Sequence, residues 1–128
     1  MSTKKKTALA SSAAALLTAV FMTLFGGNSG VELEGSYEIC KVHDYKTAVY
    51  LSVPEEFTPD VFVLKMGDME IDKGILPDTP AAVHPIVTSD LSRLSVIFYM
   101  RGEPVGVGTF SDDGVLLIKV KEGVLDEA

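Results

Sequence analysis

The chain has no tryptophan, one cysteine and two histidines among its 128 residues, and no acidic residue before Glu32. Each shortage excludes something. A lone cysteine, Cys40, forms no internal disulfide, and a small thiol of this kind is ordinarily buried. The histidines stand apart, as His43-Asp44 and His84-Pro85. With no H-E-x-x-H and no C-x-x-C, they do not make a zinc site by local spacing. There is no G-x-S-x-G elbow to present a nucleophile, and Cys40 has no local signature of one. Residues 102–108 lack the glycine spacing and the following helix of a phosphate loop. Carboxylates are numerous, so an acid/base pair would not stand out. The reading is a non-catalytic protein, with no catalytic, cofactor-binding or metal-binding residue assigned and no cofactor required.

Cations are scarce beyond the N-terminus. Lys4, Lys5 and Lys6 are three of the 11 basic residues, so residues 31–128 hold 8 cations against 18 carboxylates, a net of −10. Such a surface does not suit nucleic acid, whose phosphates call for clustered Lys and Arg. It favours a basic protein partner over an acidic one, although acidity also serves solubility alone.

The three lysines precede an uncharged run of 18 residues, Ala8 to Phe25. That is the order of a secretory signal, a basic segment followed by an apolar one. The run is diluted by Ser11, Ser12, Thr18, Thr23 and many alanines, and its length borders on that of a spanning helix. Gly27-Asn28-Ser29 is the nearest approach to a cleavage site. Residues 1–30 are therefore expected to be a signal peptide, or a membrane anchor through residues 8–25 if the leader is not cleaved. The lysines would hold the N-terminus in the cytoplasm and place the acidic domain across the membrane, in the periplasm, cell envelope or medium. The competing expectation is an N-terminal helix buried in a soluble protein. Residues 26–30, Gly-Gly-Asn-Ser-Gly, form a flexible joint.

Residues 31–128 read as all-β, a small antiparallel barrel or sandwich of about six to eight strands. The clearest part is a meander from Leu91 to Val120. Leu94, Val96, Phe98 and Met100 share one face of a strand over Ser92–Met100. Arg101-Gly102-Glu103-Pro104 turns the chain into a second strand, Val105–Phe110. Ser111-Asp112-Asp113-Gly114 turns it into a third, Val115–Val120. Gly106 and Gly108 fall on one face of the middle strand and would let it bend or receive the ring of Phe98 or Tyr99, which tilts the expectation towards a barrel.

Earlier strands are expected at Tyr37–Val42, at Thr47–Val53, and at Val61–Met66, whose nearly unbroken apolar run predicts a central strand covered on both faces. A half-exposed strand begins at Met69, with Met69 and Ile71 inward and Asp68, Glu70 and Asp72 outward. The same three acids hint at a calcium loop, but the glycine falls one place late and the twelfth position is Thr79. With three prolines from Pro77 to Pro85, Leu76–Asp90 reads as a long surface connection with an edge strand at Ile86–Thr88. No helix is expected after residue 30, and Lys121–Ala128 reads as a polar tail. The dispersed aromatic residues read mostly as core.

The short stretch Leu33-Glu34-Gly35-Ser36-Tyr37 resembles the glycine–aromatic opening of lipocalin-like barrels, without their tryptophan, and no family is assigned from it. The leading functional expectation is an exported or membrane-tethered β module that binds a protein partner. Its surface would be the Leu76–Asp90 loop and the meander turns. The alternative is a lipocalin-like barrel holding an apolar small molecule inside.

Overall fold

The computed structural model describes the backbone of residues 2–27, 29–89 and 91–125, and the side chains of all of these except 2–12, 87 and 88. A helix, α1 (Ser2–Phe25), precedes eight strands: β1 (Gly30–His43), β2 (Lys46–Ser52), β3 (Val61–Met66), β4 (Met69–Ile75), β5 (Ala81–Val83), β6 (Leu94–Met100), β7 (Glu103–Phe110) and β8 (Val115–Lys121). One helical turn, α2 (Pro85–Thr88), follows β5, and short 3₁₀ turns precede β6 and β8. The strands form one antiparallel sheet in the order β4-β3-β6-β7-β8-β1-β2-β5, curled into a nearly closed barrel.

The barrel rather than the sandwich is thus the outcome, and its bending points are visible in the residues. Strand β1 pairs with β8 over residues 30–36 and with β2 over residues 36–43, so it belongs to both halves of the sheet. At Gly35 a Cβ would collide with the carbonyl oxygen of Ser52, and only a glycine lets the strands approach so closely there. The glycine pair of β7 also acts as expected. A Cβ at Gly108 would lie 3.2 Å from Cε2 of Phe98, and one at Gly106 would lie 3.3 Å from Cζ of Phe57. The bare faces of these glycines receive aromatic rings, one from the neighbouring strand β6 and one from the β2–β3 connection.

The seam between β4 and β5 is closed by a side chain. The carboxylate of Asp72 accepts the Ala82 N–H at 2.7 Å, linking the two edges where a backbone ladder is lacking. Below it, Ile75 and Thr79 exchange backbone hydrogen bonds of 2.9 and 2.7 Å. Asp60 braces the same end. Its carbonyl accepts from Leu76 N–H at 3.1 Å and its carboxylate from Arg101 N–H at 3.2 Å.

The interior is filled by alternate residues of the strands, among them Phe62 and Leu64 of β3, Leu94, Val96 and Phe98 of β6, and Leu116, Ile118 and Val120 of β8. Phe57 enters from the β2–β3 connection and meets Phe98 edge-on, with centroids 5.2 Å apart. The inward stripe expected of β6 is therefore core, although Met100, at its end, is only half-buried.

Several sequence expectations need correction. The strand of the long connection is Ala81–Val83, not Ile86–Thr88, which forms the helical turn α2. Pro80 and Pro85 bracket that three-residue strand, short enough to fit between the prolines. Met69 points outward and is 63% exposed, since a register shift opposite Leu64/Lys65 alters the alternation. Residues 91–93 are a 3₁₀ turn, so the first meander strand starts at Leu94. The expected tail is not wholly polar, because Val124 and Leu125 pack against the core. Asn28, Asp90 and residues 126–128, which belong to the expected joint, loop and tail, lie outside the described residues.

Helix α1 lies against the outside of the barrel. Leu17 and Phe21 are buried against Ile97 of β6 and Val107 of β7, with Leu117 of β8 beside them. Thr109 donates its hydroxyl to the Ala13 carbonyl at 2.9 Å. The ammonium group of Lys119 sits over the ring of Phe21, 4.8 Å from its centroid, and that of Lys121 lies 5.9 Å from the centroid of Phe25. A Cβ at Gly30 would be 2.8 Å from Cζ of Phe21. That glycine of the expected joint thus makes room for the ring. No helix among the described residues is long and apolar enough to cross a membrane.

Candidate functional site

Two short segments of similar local structure meet at one end of the barrel. The first is the tip of the β1–β2 hairpin, His43-Asp44-Tyr45-Lys46. The second is His84-Pro85-Ile86, where β5 leads into α2. Thr47 pairs with Val83 in antiparallel register, so the chain before Thr47 and the chain after Val83 lie at the same end.

In both segments the histidine accepts from the residue two places on. Nδ1 of His43 receives the Tyr45 N–H at 3.2 Å, and Nδ1 of His84 receives the Ile86 N–H at 3.2 Å. This bond requires an unprotonated Nδ1. It folds the backbone so that the next apolar side chain stands outward. Tyr45 is 76% exposed and Ile86 74% exposed, and Val42 on the adjoining strand is 59% exposed. A large apolar side chain left in water is commonplace singly, but a group of them at one end of a small domain marks a contact surface. Lys41, Lys46 and Asp44 belong to the same hairpin as Tyr45, with Lys41 and Asp44 3.9 Å apart and both solvent-exposed. Locally, therefore, the surface is not acidic.

The expected binding surface is only partly assembled. Of the expected loop, residues 76–86 run the length of the seam, from the Asp60 brace to the hairpin end. The meander turn at residues 101–102 lies at the Asp60 end, and the turn at residues 111–114 lies at the opposite end of β7, so one site cannot use both. The second turn is held by Tyr37 of β1, whose hydroxyl donates to the Ser111 carbonyl at 2.6 Å while its ring meets Phe110 edge-on at 4.9 Å. Burial, with the carboxylates of Asp112 and Asp113 nearby, raises the Tyr37 phenol above its ordinary range, and a backbone hydrogen bond from Gly114 opposes this.

The other singled-out residues fall into structural places. Asp72 closes the seam, while Asp68 and Glu70 are exposed and do not join it. Cys40 is half-buried and unbridged, less enclosed than expected. Tyr45 and Tyr50 are exposed rather than core. Sequence reasoning missed the apolar pair Tyr45 and Ile86, yet a shared signal exists, a histidine two places before an apolar residue in a turn.

Compared with known proteins, the chain matches no family model, no curated protein and no solved structure.

Proposed function

We propose that this protein is a non-catalytic β-barrel module, exported or tethered at a membrane by its N-terminal segment, that binds a protein partner through the hairpin end of the barrel. The observation that carries this reading is the grouping of Tyr45, Ile86 and Val42, each more than half exposed, on two histidine-braced turns at that end. Aromatic and aliphatic anchors of this type, held in place before binding, supply most of the energy of protein contacts. The acidic remainder of the surface favours a basic partner over an acidic one. Export rests on the lysine cluster followed by the uncharged run. The second reading, an apolar ligand inside the barrel, has weaker support, because Phe57, Phe62, Phe98 and Leu64 fill the interior.

Fractionation of cells expressing the tagged chain, with intact mass of the product, tests the location. Recovery outside the cytoplasm is expected, and a full-length cytosolic protein would contradict the reading. A photo-crosslinking residue in place of Tyr45 should yield a discrete protein adduct that is lost with Ile86→Asp, whereas one in place of Tyr50 on the barrel wall should not.

A further inference from the structure

Helix α1 does not lie flush on the barrel. Between it and the outer face of β3 and β6 runs an open groove of about 340 Å³. One wall is the helix, through Leu16, Val20 and Leu24, which repeat every fourth residue and so line up along one side. From residue 16 to 24 that wall extends for roughly 12 Å at the helical rise. Ile97 continues the apolar surface on the barrel side.

The other end of the groove is different in kind. Lys65 and Arg93 line it, with Asp68 beside them and the hydroxyl-bearing Ser95 below. The strand register fixes which end this is. Ser95 is level with Lys65 on one side and with Thr109 on the other, and Thr109 bonds to Ala13, near the start of the docked stretch of α1. The cations thus stand by Leu16, and the groove becomes apolar towards Leu24. Neither Lys65 nor Arg93 makes an ion pair among the described residues. In a domain with only 8 cations after residue 30, two of them at one end of an apolar groove are a marked local excess.

We propose that this groove binds a free single-chain amphiphile with an anionic head, of the fatty-acid class. Its carboxylate sits between Lys65 and Arg93, and its chain lies along Leu16, Val20 and Leu24. The volume lies at the lower end of the range for small-molecule sites, enough for one chain and not for a two-chain lipid. Charge-assisted hydrogen bonds from both cations to one carboxylate supply the orientation, and Asp68 selects against a second negative charge. The site goes beyond the partner-binding reading and does not rest on it. It needs only that α1 be in place, because the helix is one of its walls.

The test uses the full chain, its intact mass verified, titrated with laurate below the micelle-forming concentration and followed by two-dimensional NMR. Saturable one-to-one binding is expected, with shifts at Ser95, Ile97 and the α1 residues. Dodecanol should bind about tenfold more weakly for want of the charge, and dodecyltrimethylammonium should not bind. The double variant Lys65→Glu/Arg93→Glu, at a half-buried and an exposed position and with its fold verified by the same spectra, should lose laurate binding by about the same factor. Ala19→Trp, which fills the groove, should block laurate and dodecanol alike. Absence of saturable binding overturns the proposal. So does binding that ignores the charge reversal, or binding only to phosphatidylglycerol vesicles and not to laurate. Loss of the Tyr45 adduct with retention of laurate binding would separate a failure of the partner reading from a failure of this one.

Discussion

The two sides of the meander sheet are packed by different rules. Inside the barrel, fifteen buried residues from six of the eight strands and from the β2–β3 connection form one apolar cluster. Outside, under α1, only four residues form the buried cluster, and they are interleaved with Thr109, Ser95 and Lys119. Thr109 needs the Ala13 carbonyl, and Lys119, though almost fully buried, lies over the Phe21 ring. The interior is thus a core in the ordinary sense. The outer contact has the mixed character of an interface between separable pieces. The difference teaches that the barrel does not depend on α1 for its interior, whereas α1 depends on the barrel for its burial.

Substitutions on the two sides should separate these roles. The largest loss is expected for Phe98→Ala inside the barrel, at about 3–5 kcal/mol of unfolding free energy by denaturant titration, because the ring is fully buried and seated against Phe57 and Gly108. Phe21→Ala on the outer side should cost no more than about 3 kcal/mol in the full chain. It should have no effect on a product from which the leader has been removed, a contrast that shows directly which state is populated. Asp72→Ala should cost about 1–2 kcal/mol, by loss of the one bond across the seam to Ala82. Hydrogen exchange should then speed up at β5 before it does in the meander.

The smallest effect is expected for Tyr37→Phe, about 1 kcal/mol for its bond to Ser111, and its pH dependence is distinctive. Since the folded phenol is raised, the folded state favours the protonated form. That contribution is fully present below the unfolded value near 10 and is lost as pH climbs through the higher folded value. Tyr37→Phe should therefore flatten the alkaline limb of a stability–pH profile and leave the neutral region parallel to wild type.

How much of this was legible depended on whether the pattern was local. The run Val61–Met66 and the alternation of Leu94, Val96 and Phe98 announce their strands, the first because it is apolar on both faces and the second because every other residue is apolar. The contact of Gly108 with the Phe98 ring follows from a bare strand face beside an aromatic one. Strand β5 was not legible. Three residues between prolines carry no periodicity, and their place is set by β2 and by Asp72 ten residues earlier. The position of α1 was also beyond reach, because an alanine-rich run has the same hydropathy whether it meets lipid or Ile97 and Val107. The partners that distinguish the two, Thr109 and Lys119, lie nearly a hundred residues away. At the candidate site, Tyr45 looked like core because aromatic residues usually are. Only the bond from its N–H to His43 shows why it stands in solvent.

The sheet order has one more consequence, and it concerns time. Strand β1 has β8 on one side, with Gly30 opposite Lys121. During synthesis the first strand to emerge must wait for the last before the sheet can join, and the β3–β4 hairpin waits for β6. Pairings between such distant positions form slowly. A nascent chain with this order stays unfolded while most of its length is made, which is the condition a chain must meet to be threaded through a narrow channel. The barrel closes only after the last strand has been made.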